Sequence, residues 1–274
     1  MTSQSRLGYY ACGLNNLSPV PSPSTERGAG VRLVSFLKEA YLKIIKTAAF
    51  IIFVIALPLL LFTSAVRIVV NDLRLYHYGF VKYEITQATG GIELSELDRA
   101  AIELVQYFNS DEERINIVLN SGLELYNRKE IDHLKDVKDL IWFGYKLQVY
   151  SLDYVLGYII VLLALGGKTW LRTFSMLGRG LMHGGGLTLA LMMAIGIAML
   201  VAFDRVFLFF HLVGFSNLDW VLDPRTDRLI QMFPEDFFFD ASLTLAGVTL
   251  ALALLVGVVG WGLGFYCKKR LVAR

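Results

Sequence analysis

Residues 203–240 read FDRVFLFFHLVGFSNLDWVLDPRTDRLIQMFPEDFFFD, and this stretch decides the fold. Seven acids and three arginines are interleaved with nine phenylalanines, Trp220 and His211. The mixture is too polar to span a bilayer and too apolar for a free loop, so it reads as a segment at a membrane surface. The flanking segments 180–203 and 241–267 contain no Asp, Glu, Lys or Arg, and neither does 47–66. Each reaches the roughly 20 residues needed to cross a hydrocarbon core of about 30 Å. A fourth span, 147–167, carries Asp153 near its start. It is counted because an even number of crossings best fits the distribution of charge.

That distribution is asymmetric. Segment 1–46, linker 168–179 and tail 268–274 together hold thirteen Lys/Arg and two acids, against thirteen and twenty-two in 67–153 plus 204–240. An excess of Lys/Arg in short flanking segments marks the cytoplasmic side. Both termini are therefore expected in the cytoplasm, and 67–146 and 204–240 outside. The whole chain is 55% hydrophobic and 18% charged with a net charge of +2, which gives no reason to expect nucleic acid as a partner.

The expectation is an all-α membrane protein of four transmembrane helices, with two extracytoplasmic segments forming a small cap. Residues 1–30, rich in Ser, Pro and Gly, are expected to be a disordered cytoplasmic tail, and 31–46 a basic amphipathic lead-in to the first span. Pro58 should kink that span. Within 67–146, residues 76–86 alternate loosely and suggest a strand, Thr89-Gly90-Gly91 a turn, and Ser95 the start of a helix facing inward through Leu97, Ala101, Leu104 and Phe108. Ile131, Leu134, Val137 and Leu140 recur every third residue on a helix entering the second span. The glycines near 184–186 and in 247–264 suit close helix packing. Cys12 and Cys267 are expected as unpaired thiols, Cys267 with an opening for palmitoylation at a span end.

Several chemistries are excluded: the chain has no G-x-S-x-G elbow, Walker loop, dinucleotide glycine fingerprint or zinc-spaced histidine pair, and no metal or cofactor is expected. His77 and His183 read as interfacial residues. His133 and His211 each adjoin a span in separate outside segments, which a four-helix topology can bring together. Glu130 and Asp136 lie three residues either side of His133, within reach of its ring on a helix. An imidazole, with an ordinary pKa near 6.5, suits proton transfer at neutral pH.

Two motifs carry a resemblance. Glu130-Ile131-Asp132-His133-Leu134-Lys135-Asp136-Val137-Lys138 is similar to the H-L-x-D-V-K signature of the lipoprotein intramolecular transacylase (Lit) family of bacterial membrane proteins. Phe210-His211-Leu212-Val213-Gly214-Phe215, followed by Trp220, Asp227, Leu229-Ile230 and Phe233-Pro234, resembles its second signature, F-H-x-x-F-F through W, D and L-I-x-L-F-P. The likeness covers about residues 46–269. Gly214 stands where the family pattern has Phe.

The resemblance implies an acyltransferase of the bacterial cell envelope, in the cytoplasmic (inner) membrane with its active site facing outside. Its substrate would be a diacylated lipoprotein, whose sn-2 acyl chain moves to the α-amino group of the N-terminal cysteine to leave a lyso form. In that setting His133 and His211 would supply acid and base, with Glu130, Asp132 or Asp136 orienting a ring. Phe210, Phe215 and Trp220 would contact acyl chains, and Arg205 or Arg225 the head groups of substrate and membrane lipids. The alternative from the residues alone is a non-enzymatic membrane scaffold or sensor whose extracytoplasmic segment binds a partner. A transporter would need ionisable groups within the spans, where only Asp153 is present.

Overall fold

The computed structural model describes residues 23–167 and 170–272, with side chains over 35–167 and 170–270. The chain divides into two compact units, 1–48 and 49–274. In the first, Lys38, Lys43 and Lys46 share one helix with exposed Phe36, Leu37, Tyr41 and Ile44. Residues 1–22, with Cys12 and most of the segment expected to be disordered, lie outside the described residues; from Pro23 onward the backbone is helical.

Eight helices are described: α1 Pro23–Val70, α2 Leu73–Lys82, α3 Ile85–Ala88, α4 Leu94–Phe108, α5 Arg128–Gly166, α6 Trp170–Gly214, α7 Arg228–Met232 and α8 Glu235–Val272. Four of them, α1, α5, α6 and α8, are long and apolar enough to cross a membrane. The described residues hold no strand, only an isolated bridge between Val118 and Glu124. The protein is thus an all-α membrane protein.

The crossing helices pack through small surfaces. Phe53 and Leu57 of α1 meet Val155 of α5 and Leu177 of α6 in a buried cluster, and the Phe53 and Tyr158 rings lie 4.6 Å apart. A Cβ added at Gly178 of α6 would sit 2.7 Å from the Gly260 carbonyl of α8, and one at Gly260 would sit 2.7 Å from the Gly178 carbonyl. Gly185 approaches Ala253 O in the same way. Only glycine permits backbones this close, as small residues do at membrane helix contacts generally. Gly186 and Gly247 meet nothing and play no such part. Helix α1 continues through Pro58 to Val70.

The boundaries differ from expectation where helices outlast the apolar windows. Residues 170–179, expected in a connector, form the first turns of α6. Residues 203–214, expected as the start of a surface segment, continue α6 beyond a break at Ala202, where φ is −153° and ψ is 57°. The apolar crossing ends at that break, and a separate helical arm carries His211. Likewise α5 starts at Arg128, with eight charged residues in its first twelve, and this charged portion precedes the apolar crossing. Cys267 is fully buried, which leaves no thiol for palmitoylation at that end.

Between α1 and α5, and between α6 and α8, the chain builds one cap at the same end of the bundle. Residues 76–82 belong to helix α2, not to a strand. Tyr76 and Phe80 fall one turn apart and bury together, and Asp72 caps the helix by accepting the Arg74 N–H. Gly79 lets the Phe237 ring lie on α2, since a Cβ there would come within 2.3 Å of it. Helix α4 buries Leu97, Ala101, Leu104 and Phe108, as its periodicity requires. Leu229, Met232, Phe233 and Phe237 from the second segment complete this core. Lys82 meets Asp240 at 2.5 Å and Asn127 donates to Asp227 at 2.9 Å, so polar contacts also join the two segments.

Candidate active site

His133 and His211 are brought together where α5 meets the arm of α6. Both are buried, and their ring centroids are 6.3 Å apart with 30° between planes. His133 sits on the second turn of α5. That helix starts at Asn127, whose side chain accepts the Glu130 N–H while Glu130 accepts the Asn127 N–H, a reciprocal cap that fixes the first turn. His211 sits on the arm's last turns.

Aromatic rings surround the pair. Phe215 presents to His133 at 5.0 Å, edge to face, and to His211 at 5.5 Å. Phe207, Phe210 and Trp220 approach His211 at 4.5, 5.4 and 5.0 Å. Trp220 is steadied by its indole N–H, which donates to Asn217 O at 3.0 Å. Phe210 keeps half its surface exposed, and Phe209 about two thirds.

The two imidazoles are held differently. His211 Nδ1 donates to Phe207 O at 2.8 Å. A carbonyl only accepts, so this bond fixes the proton on Nδ1 and leaves the Nε2 lone pair free in the neutral ring. His133 Nδ1 is buried with no hydrogen-bond partner. Burial, reinforced by the neighbouring His211 and opposed by Asp136, pulls its pKa down from 6.5 to about 4. His133 is therefore a neutral ring at physiological pH.

The acids expected to orient His133 are engaged elsewhere. Glu130 is fully buried, and its carboxylate accepts the N–H groups of Asn127 and Leu229, each at 2.6 Å. Asp132 faces Arg114 at 3.3 Å and Arg128 at 3.9 Å. Asp136 accepts from Asn217 Nδ2 at 2.7 Å, so it acts on His133 through its charge without touching the ring. Lys138, the last residue of the first motif, donates to Glu112 O at 2.6 Å and lies 4.2 Å over the Tyr107 ring, a structural post. Of the arginines, Arg225 is clasped by Asp223, and Arg228 is turned to Thr89 O and Gln231; Arg205 is exposed on the arm. His77 pairs with Asp98 at 3.0 Å and His183 donates to Arg179 O, both remote in role from the pair. Asn217 escaped notice in the sequence, although it holds both Asp136 and Trp220; a single Asn in a short loop carries no periodic signal.

A buried, aromatic-walled pair of imidazoles, one with a free lone pair and one uncharged, can pass protons to and from a group lodged between them. Comparison with known proteins gives this arrangement a context. A family model described as lipoprotein intramolecular transacylase Lit matches residues 51–238, which includes both histidines. The chain is 25% identical over 145 residues to an uncharacterized protein of Aquifex aeolicus, covering 52% of this chain and 61% of that protein, so it spans under two thirds of that curated relative. Its fold resembles the membrane-integral lipoprotein intramolecular transacylase of Bacillus cereus with a TM-score of 0.67 at 21% identity, over 84% of this chain and 99% of that one. A variant of the Bacillus cereus protein with a histidine-to-arginine substitution matches equally well, at 20% identity over 88% and 100%. Matched by the family model over more than half its length, the chain belongs to the lipoprotein intramolecular transacylase Lit family.

Proposed function

We propose that this protein moves the sn-2 acyl chain of a diacylglyceryl lipoprotein to the α-amino group of the same molecule's N-terminal cysteine. The observation that carries the reading is the meeting of His133 and His211, one from each motif, inside a single aromatic pocket. In this reaction the amine nitrogen bonds to the ester carbonyl carbon, the carbon–oxygen bond to glycerol breaks, and one proton passes from nitrogen to the glycerol oxygen. His211 Nε2 takes the proton from the attacking amine. An α-amine has an ordinary pKa near 8, so a nearby base is needed at neutral pH. His133, neutral and with Nδ1 unengaged, donates a hydrogen bond to the leaving glycerol oxygen, which receives the proton that His211 Nε2 took from the amine. Because donor and acceptor belong to one substrate, binding itself aligns them.

Phe215 and Trp220 exclude water from the ester, and Phe210, half exposed, contacts an acyl chain. Arg205 is the arginine assigned to head groups, because Arg225 and Arg228 are already engaged. The excess of Lys and Arg in segments 1–46, 168–179 and 268–274 supports a cap on the outer side of the cytoplasmic membrane, where the lipoprotein substrate would be anchored. His133→Gln and His211→Gln, each co-expressed with a lipoprotein, test the reading by mass spectrometry of its N-terminus. Each is expected to lose the lyso product; undiminished product from both would overturn the assignment.

A further inference from the structure

Gly214 ends the arm of α6, directly beside the histidine pair. With Phe215, Ser216 and Asn217 it faces Asp136, Asp139 and Leu140 of α5 across a cavity of about 230 Å³. Phe215 belongs both to this lining and to the ring contacts of His133 and His211, so it partitions the cavity from the imidazoles. A Cβ added at 214 would meet only Leu140 Cδ2, at an ordinary 3.6 Å. The glycine adds no side chain to this space, and a benzyl group, as in the resembled pattern, would narrow it.

The lining also has a chemical character. The Asp136 carboxylate is held by Asn217, while the exposed Asp139 makes no side-chain hydrogen bond or ion pair among the described residues. An acyl chain here would desolvate two carboxylates without compensation, so the cavity does not suit the lipid. In the proposed transfer, the attacking nitrogen belongs to a cysteine whose successor has its Cα only about 3.8 Å away. The successor's side chain is the first part of the peptide able to pass the Phe215 partition.

We infer that this cavity receives the side chain of the residue that follows the modified cysteine, and that Gly214 sets the size admitted. Large and cationic side chains fit; acidic ones meet Asp136 and Asp139. The inference rests on the proposed reaction for the placement of the cysteine. The test uses the purified full chain in lipid nanodiscs with synthetic diacylglyceryl-cysteinyl peptides that differ only in the second residue: Ser, Lys, Glu or Trp. Binding is followed by a fluorophore at the far end of the peptide, and transfer by mass spectrometry. Gly214→Phe is expected to raise the preference for Ser over Trp and Lys peptides by about tenfold or more, with Gly214→Ala intermediate. Asp139→Asn is expected to reduce the preference for Lys over Glu severalfold. Wild-type ratios retained in Gly214→Phe, or a uniform loss across all four peptides in both glycine variants, would overturn the inference. Selective binding without transfer would reject the reaction and keep the pocket, whereas transfer without selectivity would do the reverse.

Discussion

Glu130 Oε1 accepts the backbone N–H of Leu229 at 2.6 Å, joining α5 to α7 across the cap. The other oxygen closes the helix cap at Asn127. Burial raises the Glu130 carboxyl above its usual pKa, and the two N–H donors work against that shift. Glu130→Ala strands the buried Leu229 N–H and is expected to destabilise the fold by about 1–3 kcal/mol, with up to ~1 kcal/mol more from the lost cap. Thermal unfolding in detergent measures this. A variant with unchanged stability but a displaced pH–rate profile would instead return Glu130 to the role of orienting His133.

His133 makes stability depend on pH. Its folded pKa of about 4 lies below the ordinary 6.5, so between these values the unfolded chain binds the proton more readily. The contribution is complete above about pH 6.5 and is lost as pH falls toward 4. Melting temperatures across that window should fall more steeply for the native chain than for His133→Gln. Identical slopes would show that the ring is not held neutral.

The Phe207 carbonyl selects the His211 tautomer, and substitutions can separate that role from the proton transfer. His211→Asn places an N–H donor near the Nδ1 position but has nothing at Nε2. It should retain the melting temperature while slowing acyl transfer by about 10² to 10⁴. His211→Ala should lose both. Full activity in the Asn variant would remove His211 from the chemistry.

Helix α6 offers an internal control for membrane packing. Gly178→Leu must push the Gly260 backbone away and should cost about 1–3 kcal/mol, read as a lower unfolding temperature in detergent. Gly186→Leu, on the same helix with open space around it, should leave the temperature unchanged. Equal effects at both positions would mean that helix propensity, and not contact with α8, governs the result.

Much of the candidate site was visible in the chain. His133 and His211 stood out because each lies in a polar, aromatic context beside an apolar window. Their carboxylate neighbours misled, since a spacing of three residues puts Glu130 within reach of His133 without deciding which donor it serves. An unpaired N–H at a helix start and the Leu229 N–H, 99 residues away, both bind a carboxylate well, and a buried donor left alone is costly. Residues 76–82 failed differently: their loose alternation resembles a strand, but Tyr76 and Phe80 bury on the helical period against Phe233 and Phe237 from the far segment.

The sequence by itself determined four apolar helices and two polar segments, because a bilayer imposes length and lack of charge locally, residue by residue. Only the tertiary structure decided that α6 breaks at Ala202, that the two imidazoles meet 6.3 Å apart, and that Gly214 faces a cavity beside them. Each of these depends on groups distant in the chain sharing one buried volume, and burial is a property of the assembled packing that no local pattern contains.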